Sequence, residues 1–388
     1  MQSDDNRILT THAGSLPRPP SLIALHKSKF ERSEVREAEL TQAVEAASQA
    51  IVARQIESGL DIVNNGEMGR ESFFTYLQHR MTGFGGTGTR PIMQDLTKYA
   101  GSLERRRQAM GTDERVDLLK APKAIGEVRY VNPEPIEQEC SQLKALLSGW
   151  EGRFSKAFVS APSPGIIAAG MQNAYYDNLE SYVDAIAAGL RTEYQTIANA
   201  GFVLQIDAPD LALERHTLFQ DKPLQDFLDF VRVVVAAINR ALAGIPREQV
   251  RLHVCWGNYE GPHDCDVPLE DIWPDVSQIN AGAVMLSMAN PRHAHEYRLF
   301  SDPDFLGDRI LIPGVIETTT NYIEHPEVVA DRIERIATTV GDPRRIIAGT
   351  DCGFETAAGS KMVIEEVVWS KLRSLSEGAA IASRRLFG

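Results

Sequence analysis

The chain has 388 residues, 43% of them hydrophobic and 24% charged, a balance that excludes a disordered chain, a coiled coil or a collagen-like fibre. Its 40 Lys and Arg against 53 Asp and Glu leave a net charge of −13, which argues against binding nucleic acid or an anionic membrane through bulk electrostatics. Such a chain buries a large core unaided, and four cysteines, Cys140, Cys255, Cys265 and Cys352, are too few for a disulfide framework.

Met1, Gln2, Ser3, Asp4 and Asp5 carry neither a basic nor an apolar leader pattern. The longest apolar run, near Val233 and Ile238, is far short of a ~20-residue membrane span. The expectation is a soluble, cytoplasmic protein with neither a nucleic-acid nor a membrane partner.

Short runs rich in Val, Ile, Leu and Ala recur at 8–14, 60–64, 157–161, 203–207, 250–256, 283–288, 309–315 and 345–349. Bounded by turn residues, they read as strands buried on both faces. Helical patterns alternate with them at 34–58, 175–200, 224–242, 326–340 and 361–385. In the first, Leu40, Val44, Ala47 and Ile51 share one face. This alternation predicts the α/β class and a single (β/α)8 TIM barrel over 1–388. An open doubly wound sheet is disfavoured, because no Gly-rich phosphate-binding turn follows the first strand. Residues 68–150 are too long for one crossover. They hold a glycine-rich stretch at 83–88, read as a flexible loop, and a candidate extra strand at 123–130. We read them as an insertion after strand 2, serving as a lid or as a homo-oligomer contact.

Active sites of such barrels lie at the C-terminal strand ends. His12 and Ser15 follow the first strand there, Glu67 the second, and Asp207 and Asp210 the fourth. His253 and Cys255 sit on the fifth, Glu317 ends the seventh, and Asp351 and Cys352 follow the eighth. Glu317 and Asp351 are the catalytic candidates among the acids. On a strand, residues two apart face the same side, about 6.6–6.8 Å from one another. His253 and Cys255 can therefore share a zinc ion, with Cys352 as third ligand and an open fourth position, the pattern of catalytic zinc. Two thiolates offset the Zn2+ charge and favour capture of another thiol, ionised at neutral pH, as the nucleophile for alkyl transfer.

The chain resembles the C-terminal catalytic barrel of cobalamin-independent methionine synthase, and its single-barrel relatives that include epoxyalkane:coenzyme M transferase. The matching segments are Thr11-His12-Ala13-Gly14-Ser15-Leu16-Pro17-Arg18, Asn65-Gly66-Glu67, Gln205-Ile206-Asp207-Ala208-Pro209, His253-Val254-Cys255, Pro313-Gly314-Val315 and Asp351-Cys352-Gly353. The resemblance implies zinc-dependent methyl or alkyl transfer to a homocysteine-like thiol, of the 5-methyltetrahydropteroyltriglutamate–homocysteine type. It puts His253, Cys255 and Cys352 on the zinc-ligand positions, and Ser15, Glu67 and Asp207 around the acceptor. An amino-acid ammonium in a barrel mouth needs such carboxylates.

Three positions depart from the pattern. Ala289 stands where a fourth ligand, Glu, is usual. No stacking tryptophan occurs in Ser160-Ala161-Pro162-Ser163-Pro164-Gly165, so weak or absent folate binding is expected. Threonine replaces histidine within Glu317-Thr318-Thr319-Thr320-Asn321. The partners implied are a small-molecule thiol and an alkyl donor, the donor being a folate, another small methyl donor or a corrinoid. The first alternative is epoxide opening by coenzyme M, whose sulfonate would draw on Arg18, Arg70 or Arg292; the second is a non-catalytic metal- or metabolite-binding barrel. His263 and Cys265 read as loop residues, and Cys140 is assigned no role.

Overall fold

The computed structural model describes residues 6–31, 35–109 and 115–388. The first five residues, on which the reading of no leader rests, lie outside the described residues, as do Glu34, the expected start of the first helix, and residues 110–114 of the insertion.

The barrel strands are β1 (Leu9–Thr10), β2 (Ile62–Val63), β3 (Lys156–Pro162), β4 (Val203–Asp207), β5 (Val250–Val254), β6 (Ala283–Leu286), β7 (Ile310–Ile316) and β8 (Ile347–Thr350). They form one eight-stranded sheet of parallel ladders in the order β1-β8-β7-β6-β5-β4-β3-β2. The sheet ends meet where Thr11 Oγ1 donates to the Ile62 carbonyl at 3.2 Å and the Asp61 N–H to the Thr10 carbonyl at 3.2 Å. The sheet therefore curls into the expected barrel, each strand overlapping its predicted span.

Strand alternation sorts the side chains into two compartments. Leu204, Ile206, Leu252 and Val254 point outward and pack with the helices in one large core. Leu9, Ile62, Phe158, Val203, Met285 and Ile312 fill the barrel interior. Above that plug the interior turns polar: Gln205, Asp207, Arg251 and His253 are all buried. The apolar floor thus sets the depth at which polar side chains can begin.

Five helices match the predicted patterns, Glu37–Glu57, Leu179–Asn199, Leu224–Ala241, Pro326–Val340 and Glu365–Phe387. Pro20–Phe30, Pro164–Gly170 and Leu269–Val276 add helices that no periodicity signalled; the last carries Pro274 within it. The 68–150 stretch divides in two. Helix Glu134–Leu147 occupies the crossover between β2 and β3 and buries Ile136, Cys140, Leu143 and Leu147 in the main core. Ahead of it, Phe84–Gly85 pairs antiparallel with Lys123–Ala124. The glycine-rich stretch read as a flexible loop thus supplies two strand residues, and the strand expected at 123–130 shrinks to two residues. Among the described residues, no helix is long and apolar enough to cross a membrane.

Candidate metal centre and acceptor cavity

Continuing the two-residue alternation past the end of β5 brings Cys255 to the same side as His253, and Cys352 follows β8 directly. All three are buried, and one ligand atom from each lies within 4.8 Å of the others. Bonds of about 2.0–2.3 Å in tetrahedral zinc separate ligand atoms by roughly 3.3–3.8 Å, so donors gathered within 4.8 Å of one another are a set that could hold that ion. His253 Nδ1 lies 2.9 Å from Asp207 Oδ1, which orients the ring and leaves Nε2 to face the thiols. Without an ion, Nε2 is 3.1 Å from the Asp351 carbonyl. Burial alone would lower the His253 pKa; hydrogen bonds to Asp207 and Cys255 outweigh it and raise it to about 10. Cys255 is pushed well below the ordinary thiol value because its sulfur accepts from Cys352, which is pushed up in turn, so the pair shares one proton.

Asp351 and Glu317, the two catalytic candidates, face their own loops. The Asp351 carboxylate accepts from the backbone N–H groups of Met288, Ala289 and Asn290 at 2.9, 2.8 and 2.7 Å. It thereby ties the loop after β6 to the end of β8. Ala289 offers its N–H to this clasp. Burial raises the Asp351 carboxyl to about 7 despite those bonds. Glu317 accepts from the Thr319 N–H at 2.9 Å and the Thr320 hydroxyl at 2.7 Å. Both acids border a cavity of about 10 Å3 beside Cys352, about the space one water needs.

A larger cavity of about 480 Å3 opens over the donor set. It is lined by Ser15, Glu67, Asp207, His253, Cys255 and Cys352, and by Met93, Leu96, Leu103 and Leu118 of the 68–150 stretch. Glu67 is aimed into it by a strained turn, with φ +61° at a non-glycine residue. The Asn65 side chain accepts from the Glu67 N–H at 3.0 Å and the Asn64 side chain from the Gly66 N–H at 2.7 Å, holding that turn. Glu67 Oε1 accepts from the Ser160 hydroxyl at 2.8 Å, while Oε2 is buried with no hydrogen-bond partner among the described residues. Burial, reinforced by Asp207, raises the Glu67 carboxyl to about 7. Gly14 permits this approach: with φ +132°, a Cβ there would lie 2.4 Å from Glu67 Oε1. At Gly353 a Cβ would lie 2.0 Å from the Ser15 hydroxyl, so glycine lets Ser15 close against the strand-eight loop.

Three residues read as substrate contacts sit behind the cavity wall instead. His12 is buried, with Nε2 2.8 Å from Gln55 Oε1, and burial lowers its pKa to about 3. Arg18 donates to the carbonyls of Glu355 at 2.6 Å and Glu67 at 3.1 Å. Arg70 donates to the Ser160 carbonyl at 2.8 Å and pairs with Glu139 at 2.9 Å. Arg18 thus braces the Glu67 turn through the Glu67 carbonyl, while the Arg70 guanidinium is held by β3 and by the Glu134–Leu147 helix. Arg292 donates to the His263 carbonyl at 3.2 Å. Arg251, which the sequence reading passed over, is wholly buried in the barrel. It donates to Gln205 Oε1 at 2.8 Å, Thr11 Oγ1 at 3.0 Å and the His12 carbonyl at 3.0 Å, and lies 3.6 Å from the Phe158 ring centroid. Counting back two residues from His253 would have found it.

Comparison with known proteins agrees with this geometry. Residues 161–368, more than half of the chain, match the family model described as the catalytic domain of cobalamin-independent synthase. The chain is similar to the methionine synthase of Thermococcus kodakarensis, 26% identical over 381 residues that cover 97% of this chain and 94% of the relative. The methionine synthase of Saccharolobus solfataricus is 24% identical over 383 residues, covering 97% of this chain and 95% of its own. In fold, the chain is similar to a B12-independent methionine synthase from Shewanella sp. solved with selenomethionine, with TM-score 0.74, 22% identity and coverage of 98% and 99%. The chain belongs to the family of cobalamin-independent synthase catalytic domains.

Proposed function

We propose that this enzyme transfers a methyl group from a small donor to the thiol of homocysteine, with a zinc ion held by His253, Cys255 and Cys352. The observation that carries the reading is the convergence of these three donors at a cavity that Ser15, Glu67 and Asp207 also line. Zinc bound there supplies a Lewis acid that keeps an arriving thiol ionised at neutral pH. Asp207 fixes the His253 ring through Nδ1. Glu67, its Oε2 unpartnered, offers a carboxylate to the acceptor's ammonium group. Asp351 holds the loops after β6 and β8 in register around the donors. In the transfer the acceptor sulfur gives up its proton and forms the S–C bond as the donor's bond to the methyl carbon breaks; the electron pair of that bond stays on the donor remnant, which leaves with the proton.

The relatives named methionine synthase support this acceptor. A coenzyme M acceptor would need a cation for its sulfonate; Arg18 and Arg70 are paired behind the wall, and Arg90, which lines the cavity together with Arg115, is paired with Glu214. The test is calorimetry of zinc-loaded protein with homocysteine and coenzyme M side by side. Tighter homocysteine binding, lost in Glu67→Gln, supports the reading. Equal affinities unaffected by that change contradict it.

A further inference from the structure

Three histidines surround Asp266 beside the loop that follows β5. His263 Nδ1 lies 2.8 Å and His293 Nε2 2.7 Å from Asp266 Oδ2, and His216 Nε2 lies 3.5 Å from Oδ1. The four side chains are between 0% and 5% exposed. They come from three connections, His216 from the one after β4, His263 and Asp266 from the one after β5, and His293 from the one after β6. His263 reaches the cluster with φ +56°, left-handed backbone that a non-glycine residue adopts only under constraint.

The outward ring nitrogens face acceptors as well. His293 Nδ1 is 3.0 Å from Glu296 Oε2, His263 Nε2 3.1 Å from the Tyr259 carbonyl, and His216 Nδ1 3.9 Å from Asp95 Oδ1. With oxygen on both sides, His263 and His293 can satisfy their contacts by hydrogen bonding only as two imidazolium cations on a single carboxylate oxygen. Even then Asp266 Oδ1 and both nitrogens of His216 stay buried without a hydrogen bond among the described residues. Orphaned polar atoms of this kind are costly and call for an occupant. A divalent ion replacing two protons keeps the same net charge. It leaves each histidine neutral, its lone pair turned inward and its N–H outward to a carboxylate or carbonyl, as metal-bound histidines arrange themselves.

We propose that His216, His263, His293 and Asp266 form a second site, for a divalent transition-metal ion of the zinc class, separate from the His253, Cys255 and Cys352 donor set. Imidazole nitrogens with one carboxylate select zinc or cobalt(II) over magnesium and calcium. Trp256 stacks on His293 at 3.7 Å and Tyr259 on His263 at 4.2 Å. The ion would therefore clamp the segment that leaves β5 immediately beyond Cys255.

The probes are zinc and cobalt(II) alone, titrated into chelator-stripped protein and counted by mass spectrometry. Two ions per chain are expected in the wild type and one in the double variant Cys255→Ser with Cys352→Ser. The cobalt spectrum of that variant should lack thiolate charge transfer, and zinc X-ray absorption should show about three imidazoles. Adding His216→Ala or Asp266→Asn should weaken the remaining ion at least tenfold. A Cys255→Ser, Cys352→Ser variant that holds no ion, or an ion with fewer than two imidazoles, overturns the proposal without any histidine variant having to fold. So does an ion unaffected by a folded His216→Ala.

Discussion

If Glu67 receives the acceptor's ammonium group, binding must release the proton that burial and Asp207 keep on it. The free carboxyl sits at about 7, against 4.5 for an ordinary glutamate. Below pH 7 the bound state is ionised and the free state protonated, so affinity should weaken about tenfold per pH unit, near 1.4 kcal/mol, and level off above 7. Methionine is the right probe, because it carries the ammonium group but no thiol proton of its own. Between pH 7.5 and 5.5 its dissociation constant should rise about 25-fold, with nearly one proton released in buffers of differing ionisation enthalpy at the acid end. Glu67→Gln should flatten the profile and weaken binding at pH 7.5 by about 2 kcal/mol or more, the scale of a buried charge left without its partner. The same shift acts on stability. The folded state holds a proton that the unfolded state releases between pH 4.5 and 7, so this residue's contribution is present below 4.5 and is lost as pH rises through 7. Glu67→Gln should accordingly gain stability relative to wild type across that window, by up to about 3 kcal/mol. A flat methionine profile in the wild type, or the same slope in Glu67→Gln, would refute the assignment.

Other outcomes follow from the same contacts. Gly14→Ala would drive a Cβ to 2.4 Å from Glu67 Oε1 at φ +132°; it should lower stability by about 1–3 kcal/mol and weaken methionine binding, read by thermal melting and calorimetry. Asp207→Asn removes the carboxylate that orients His253 and should cost about 10–100-fold in zinc affinity, measured by competition with a chelator. Arg251→Met strips a buried cation from three oxygen acceptors and should cost about 3–5 kcal/mol in urea unfolding. Methyl-tetrahydrofolate should not bind below micromolar concentration, since no tryptophan occupies 160–165 to stack on its ring; tight binding in a direct titration would require another aromatic side chain in that role.

The barrel was legible because a strand buried on both faces leaves an apolar run that turn residues interrupt, and all eight runs became strands. The grouping of the three candidate donors was legible for a related reason: two-residue alternation puts His253 and Cys255 on one side, and Cys352 stands at the mouth of β8. The same alternation extended downward reaches Arg251, which local pattern hides because a lone arginine in an apolar strand looks like an edge residue. Arg18 and Arg70 misled for the opposite reason. Proximity in sequence to Glu67 suggested a role toward substrate, whereas the Glu355 and Glu67 carbonyls bind the Arg18 guanidinium, and the Ser160 carbonyl and Glu139 bind that of Arg70. The Asp266 cluster joins connections after three different strands, and no spacing within one segment reports such a meeting. Short helices such as Pro164–Gly170 have too few turns to show a period, so their positions emerge only from packing against the barrel.

The central claim is that His253, Cys255 and Cys352 present a metal ion to the acceptor's sulfur. Absorption of the cobalt(II)-loaded protein tests it most directly, because only sulfur ligands give thiolate-to-cobalt charge transfer. The wild type should show this band at an intensity fitting two thiolates. Homocysteine should raise it by about half as a third sulfur binds, and Cys255→Ser with Cys352→Ser should abolish it. A wild-type spectrum without thiolate charge transfer, or one that homocysteine leaves unchanged, would contradict the account.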